Sequence, residues 1–242
     1  MKNNTISLTK DLQKKIRDYF DYEGKIYYSK QELIAAVAHL NISVSIRNLL
    51  RTRLIRSTYK DRIYQVLEGK SSITGLLTVL FDSKELFYLG GIYAFNTQGL
   101  INQLPVSYQV INTKITGQKK LGVFNVIFQR KSPKFFYGIN SRTYLPELER
   151  TLLDYCYTFG YKRFKSAFDS QKGTVDFQKL ADYAMKYPIQ SIGRRVLYTL
   201  DEEGLVANNI QEKMTFKSLI TLYNDRPRRG KIDRKWNLII NK

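Results

Sequence analysis

Residues 29–67 constrain this chain more than any other stretch. Ser29-Lys30-Gln31-Glu32 has the spacing of a capping box, so a helix is predicted to start after Ser29. Leu33, Ile34, Val37 and Ala38 recur at helical spacing and are expected to form its apolar face. Leu40-Asn41-Ile42 breaks the run, and Asn tolerates the left-handed conformation of a tight corner. Ser43 or Ser45 is then placed to cap a second helix, in which Ile46, Leu49, Leu50 and Leu54 are expected to point inward. Arg47, Asn48 and Arg51 fall on the opposite side, with the two arginines one turn apart.

Two strands are predicted next, Ile55–Ser57 and Arg62–Leu67, joined through Thr58-Tyr59-Lys60-Asp61. Helix, tight turn, arginine-rich helix and short hairpin, in that order, are the parts of a winged helix-turn-helix. The expected role is DNA binding. Arg matches the paired acceptors of guanine and Asn those of adenine, so Arg47, Asn48 and Arg51 are the expected base readers. Ser45, one of the two candidate caps, lies at the start of that helix, and Tyr59, Lys60 and Arg62 lie at or near the hairpin tip where phosphates pass; all four are expected DNA contacts. The plainer alternative is a small helical domain with a solvated arginine face; the ordered combination of caps, turn and hairpin favours DNA.

Charge supports a polyanionic partner. Forty Lys and Arg against 21 Asp and Glu give a net +19 in 242 residues. Residues 1–67 hold 13 basic and 6 acidic residues, so +12 remains for the rest of the chain. A single cysteine, Cys156, excludes a disulfide framework and a cysteine-based zinc site. It sits in an aromatic helical run and reads as a small buried apolar residue. The opening residues carry no secretory-leader pattern, and no apolar run approaches the roughly 18 residues that span a bilayer. A cytoplasmic protein without a membrane partner is expected.

Before the capping box, Leu12, Ile16, Tyr19 and Phe20 form a helical stripe with Thr9 as cap and Gly24 as stop. Lys25–Tyr28 is a short strand suited to pair with the hairpin, which completes a domain at residues 1–67. Glu68-Gly69-Lys70-Ser71-Ser72 reads as a linker. Gly69-Lys70-Ser71 ends like a phosphate-binding loop, but the position that needs the first glycine holds Tyr64.

Residues 73–242 are expected to form a mixed α/β domain with a small antiparallel sheet and a helical C-terminal half, making the whole chain α+β. Helices at 73–81 and 91–98 flank a strand at 86–89. Val106–Ile111, Val123–Phe128 and Phe135–Ile139 read as strands. Pro146, Asp176 and Pro188 open helices, and Tyr161, Phe164 and Phe168 give the stripe of another. From Arg226 to Lys235 there are six basic residues and one acid, and Trp236–Ile240 is a docked terminal strand. Arg194, Arg195, Arg226, Arg228, Arg229 and Lys231 are therefore candidates for a second basic surface.

Catalytic patterns are sparse. His39 is the one histidine, which removes Ser-His hydrolysis and histidine-rich metal sites, and no cofactor or metal is expected. Glu149 and Asp154, with Glu147, share one predicted helix and open a magnesium-nuclease alternative. The same carboxylates also favour a helix start, and Asp154 can pair with Arg150. The favoured expectation is a non-enzymatic protein.

Several stretches together match a family pattern. Ala94-Phe95-Asn96-Thr97-Gln98-Gly99-Leu100, followed by Gln103 and Pro105, resembles an Ala-Leu-x-x-x-Gly-Leu…Pro signature. Glu149-Arg150-Thr151-Leu152-Leu153-Asp154 resembles its helix-opening motif, with Leu148 where the family has proline. Gly193-Arg194-Arg195 and the ending Pro227-Arg228-Arg229-Gly230…Lys235-Trp236-Asn237 fit as well. The chain thus resembles the AbiEi-type antitoxins and transcriptional regulators of type IV toxin–antitoxin systems. The resemblance implies a repressor that binds its own promoter as double-stranded DNA, with a C-terminal domain that neutralises a nucleotidyltransferase-like toxin. An orphan regulator of a mobile element, without a toxin, is the neighbouring possibility.

Overall fold

The computed structural model describes residues 8–42, 44–66, 70–82, 85–205 and 218–241. The chain is a mixed α+β protein with small, largely antiparallel sheets. It divides into two compact units, residues 1–86 with 118–126, and residues 87–117 with 127–242.

In the first unit, α1 (Lys10–Glu23) begins at Thr9, whose side chain accepts from Leu12 N, and stops at Gly24 with φ +62°. Strand β1 (Tyr27–Ser29) leads directly into α2 (Lys30–His39), where both halves of the Ser29/Glu32 capping box are formed. Asn41 takes the left-handed conformation expected of the corner, at φ +55°. Ser45 caps α3 (Ile46–Arg51) by accepting from Asn48 N; Ser43, the other predicted cap, lies outside the described residues.

Strands β2 (Ile55–Tyr59) and β3 (Ile63–Val66) form an antiparallel hairpin, and β1 pairs antiparallel with β3, so the sheet order is β1-β3-β2. Lys60 and Asp61 both have positive φ in the turn, which Arg62 N closes by donating to Tyr59 O at 2.8 Å. Leu67, Glu68 and Gly69, at the predicted strand end and linker, lie outside the described residues. The core gathers Ile16, Phe20, Leu33, Val37, Leu49 and Ile55. Each such buried side chain contributes about 1.5–3 kcal/mol relative to exposure.

Helix α4 (Ile73–Phe81) belongs to this first unit and not to the second. Ser72 caps it, and it packs on β1 so that a Cβ at Gly75 would be in ordinary contact with the Tyr27 ring, at 3.4 Å. The division between units therefore falls after Leu86, later than the predicted linker. On α2, Ala36 is buried while Ile34 and Ala38, expected inward, are exposed beside an open groove of about 450 Å³.

The second unit opens with β4 (Phe87–Gly90), α5 (Gly91–Thr97) and β5 (Tyr108–Asn112), with β4 and β5 antiparallel. Strands β6 (Gly117–Leu121) and β7 (Phe124–Arg130) come next in the chain, with residues 118–126 belonging to the first unit. Strand β6 escapes the sequence reading: Gly117-Gln-Lys-Lys-Leu121 has none of the β-branched or aromatic residues that mark a strand, as suits a lysine-bearing edge. The strand predicted at 135–139 is instead a 3-10 turn at Pro133–Phe135 and a single bridge from Ile139 to Pro146. The carbonyls of Phe135 and Tyr137, which a ladder would need, accept hydrogen bonds from Arg150.

Four helices make the body of this unit: α6 (Leu148–Phe159), α7 (Tyr161–Gln171), α8 (Phe177–Lys186) and α9 (Gln190–Glu202). Leu152, Phe164, Phe168, Leu180, Val196 and Leu200 are fully buried among them. Strands β8 (Ile220–Thr221), β9 (Lys231–Asp233) and β10 (Leu238–Ile240) close the chain in the order β8-β10-β9, with β8 parallel and β9 antiparallel to β10. Trp236 is buried, as a docked terminal segment requires.

Helices α8 and α9 meet at Gly193, where a Cβ would fall 2.1 Å from the Ala184 carbonyl oxygen. Alanine would gain about 1 kcal/mol of helix propensity over glycine. A clash with rigid backbone outweighs that gain, because overpacking alone costs about 1–3 kcal/mol and the helices must part. Gly193→Ala is therefore expected to destabilise the protein by about 1–3 kcal/mol in denaturant titration. Wild-type stability in that variant would show that the two helices are not held at this spacing.

Candidate functional site

Helix α3 carries the expected base-reading residues, and its burial pattern divides them. Arg47 and Arg51 are exposed, one turn apart, with nothing buried between them on that face. Asn48, expected beside them, is only 6% exposed and is turned into the unit. Each residue advances about 100° around a helix, which carries position 48 off the Arg47/Arg51 face and toward Leu49 and Thr52. Thr52 secures the end of the helix through bonds from its hydroxyl to the carbonyls of Asn48 (2.9 Å) and Leu49 (3.2 Å). Ser45 is exposed at the other end and engaged as the cap.

Lys60 and Arg62 are exposed on the β2–β3 hairpin, and Tyr59 is half-buried beside its turn. Arg56 faces across the hairpin, its Nε and Nη2 both donating to Gln65 Oε1 at 3.0 and 2.7 Å. Residues 118–126 of the same unit bring a lysine that the sequence reading missed: Lys119 Nζ donates to the Tyr59 hydroxyl at 3.1 Å. The adjacent Lys119-Lys120 pair before Gly122 was the available signal, hidden because β6 lacks strand-forming residues.

The expected second basic surface separates into two sets. Arg194 and Arg195 are 2% and 4% exposed and belong to the interior. Arg194 Nη1 donates to Ser218 O at 2.6 Å, and Arg195 donates twice to Thr221 O at 3.0 and 2.8 Å. Burial, reinforced at Arg194 by the adjacent charge of Arg195, lowers both guanidinium pKa values from the usual arginine range. They fasten β8 to α9 and offer no surface. Arg226, Arg228, Arg229 and Lys231 are exposed. Arg226 lies over the Tyr223 ring at 4.6 Å, and Asn241 holds the loop from beneath through Tyr223 and the carbonyls of Arg226 and Pro227.

The carboxylates of the nuclease alternative all have partners within the unit. Glu149 accepts from Asp176 N at the start of α8, at 3.0 Å. Asp154 Oδ1 accepts from Arg150 at 3.0 Å and from the Tyr187 hydroxyl at 2.8 Å. Glu147 is bonded to Tyr183 and Lys179, and the Tyr183 hydrogen bond leads in holding its carboxyl below the usual range. Among the described residues no group of three His, Cys, Asp or Glu is placed to hold a metal ion. Cys156 is fully buried, and burial pushes its thiol up to about 12, as an inert core residue. No helix among the described residues is long and apolar enough to cross a membrane.

No family model matches this chain, and no curated protein matches it. Among solved structures it is similar to the crystal structure of RV2827C protein from Mycobacterium tuberculosis, with a TM-score of 0.57 at 11% identity. The match covers 93% of this chain and 89% of that one. At that identity the likeness concerns the fold alone.

Beyond the basic loop, one acid docks Lys235 and Trp236. Asp201 on α9 accepts from Lys235 Nζ at 2.5 Å and from Trp236 Nε1 at 2.7 Å. Burial raises the Asp201 pKa, but the bonds from Lys235 and Trp236 outweigh it and hold the carboxyl below its usual 3.8. A depressed carboxylate stabilises the fold above its unfolded pKa and loses that contribution as pH falls through the folded value. The stability difference between wild type and Asp201→Asn is thus expected to be constant above about pH 5 and to shrink below about pH 4. A difference independent of pH across that window would show that the charge of Asp201 plays no part in docking Trp236.

Proposed function

We propose that this protein is a sequence-specific DNA-binding autorepressor whose first unit acts as a winged helix-turn-helix. One observation carries the reading: Arg47 and Arg51 stand exposed one turn apart on a capped helix, beside a hairpin that exposes Lys60 and Arg62. The order β1-β3-β2 and the tight α2–α3 corner at Asn41 suit the same reading. Arg47 and Arg51 read base edges in the major groove, and Lys60 and Arg62 neutralise phosphates. Asn48 supports the helix from inside and does not read adenine.

The proposal extends to antitoxin activity in a type IV toxin–antitoxin system, with a nucleotidyltransferase-like toxin as the partner. This part rests on the resemblance of the Glu149–Asp154 motif and the other matching stretches to AbiEi-type proteins. Relief of growth arrest when the chain is co-produced with the product of the adjacent gene tests it. Unrelieved arrest in cells that contain the folded protein would remove the antitoxin half and leave the repressor half standing.

For the repressor half, Arg47→Ala or Arg51→Ala is expected to weaken binding to the protein's own promoter by about 1–3 kcal/mol and to relax discrimination at one operator position. Asn48→Ala is expected to lower the unfolding midpoint without changing which base is preferred. Measuring Kd on a panel of single-base operator variants checks both. If neither arginine variant changes affinity, α3 is not the reading helix; if Asn48→Ala alters base preference in the folded protein, its inward placement is wrong.

A further inference from the structure

Tyr59 stands between two lysines. Lys119 Nζ lies 3.1 Å from its hydroxyl and 5.4 Å from its ring centre, and Lys60 Nζ lies 5.8 Å from the same ring. The ammonium donates to a lone pair of the hydroxyl oxygen, so the hydroxyl's own hydrogen remains to be donated. No acceptor for that hydrogen lies among the described residues. The hydrogen bond from Lys119 also leads the influences that hold the phenol pKa below its ordinary 10.0, which makes the hydroxyl a stronger donor.

The arrangement is fixed by packing rather than by chance proximity of long side chains. Gly122, at φ +59°, rests so close to the hairpin that a Cβ would fall 2.6 Å from Thr58 Cγ2. Thr58 is buried, sits at a register shift in β2, and donates to Ile63 O at 2.9 Å. Residues 118–122 and the tip of the β2–β3 hairpin are thus one packed piece within the first unit. Neither Lys60 nor Lys119 has an ion-pair partner among the described residues, while Arg62 is exposed two positions beyond Lys60.

We propose that Lys60, Tyr59 and Lys119 form a three-donor clamp for one backbone phosphate of bound DNA, so that residues 118–122 are part of the nucleic-acid surface. Two ammonium groups supply charge, and the polarised hydroxyl supplies a directed hydrogen bond to a phosphate oxygen. The clamp rests on the DNA-binding reading, but it governs affinity for the backbone and not the choice of bases.

The test compares wild type, Lys119→Gln, Tyr59→Phe and Lys186→Gln on the own-promoter duplex and on an unrelated duplex of equal length. Kd is measured from about 50 to 300 mM salt, with unfolding midpoints taken alongside. Lys119→Gln is expected to weaken both duplexes by the same factor, about three- to tenfold near 150 mM salt, and to lower the salt slope by about one. Tyr59→Phe keeps the ring in place and removes only the hydroxyl. It is expected to weaken both duplexes about two- to tenfold with the slope unchanged. Lys186→Gln, an exposed lysine on α8, controls for net charge and is expected to bind as wild type. Wild-type binding by both Lys119→Gln and Tyr59→Phe overturns the clamp, as does an equal loss in Lys186→Gln. Failure of the parent reading looks different: wild type then shows no preference for its own promoter, whatever the Lys119 and Tyr59 variants do to the slope.

Discussion

The second unit is organised around a buried positive charge. Arg150 is fully buried, and its guanidinium carbon lies 4.8–5.9 Å from the ring centres of Tyr137, Tyr187, Tyr88 and Phe135. An ion withdrawn from water costs several kcal/mol unless paired and hydrogen-bonded. Here Nη1 donates to the Phe135 and Tyr137 carbonyls, and Nη2 donates to the Tyr88 hydroxyl and Asp154. Asp154 in turn accepts from Tyr187, which ends α8. One side chain of α6 thereby ties β4, the segment after β7 and the end of α8 into a single arrangement. That also accounts for the irregular backbone at 133–139: carbonyls given to a guanidinium are not available to a neighbouring strand.

The Glu149–Asp154 motif looks different in this light. Glu149 secures the start of α8, Arg150 and Asp154 form the buried pair, and Thr151 bonds back to the carbonyls of Pro146 and Glu147. Leu152 and Leu153 are fully buried. Each residue of the motif has an internal task. The stretch that makes the chain resemble AbiEi-type proteins most specifically is therefore a description of how this unit is built. Antitoxin activity would have to reside on side chains that the motif does not name.

What was legible in the sequence is local in origin. The capping box at Ser29 and the caps at Thr9, Ser45 and Asp176 act over three residues, and the left-handed corner at Asn41 is a property of one residue. Helices α1 to α9 and strands β4, β5 and β7 are set by such signals and by periodicity. Most of the misplacements concern partners far away in the chain. Arg194 and Arg195 look like any surface arginines until the carbonyls of Ser218 and Thr221 arrive beside them. Asn48 reads as exposed because a six-residue helix has flanks that periodicity alone cannot assign to core or solvent. Lys119 does not stand out in the sequence because its hydrogen-bond partner, Tyr59, lies 60 positions earlier.

These placements change the meaning of the net charge of +19. Arg150, Arg194 and Arg195 are buried and contribute architecture, so the proposed attraction for a polyanion rests on the remaining cations. In the first unit those cations are arranged by rigid devices: a short helix capped at Ser45 and closed by Thr52, a turn with two positive-φ residues, and a glycine seated on Thr58. Long, flexible side chains acquire specificity only when their backbones are held, because each freely rotating lysine or arginine surrenders about 2 kcal/mol of rotamer entropy on binding. Arg47 and Arg51 spring from one face of a braced helix, and Lys119 is pinned through its hydrogen bond to a half-buried phenol. The basic loop at 226–231 is held at its base by Asn241, yet its arginines are exposed, with Arg226 stacked on Tyr223. Geometry of that kind suits general attraction to a charged partner, whereas the braced arginines of α3 suit discrimination among base edges.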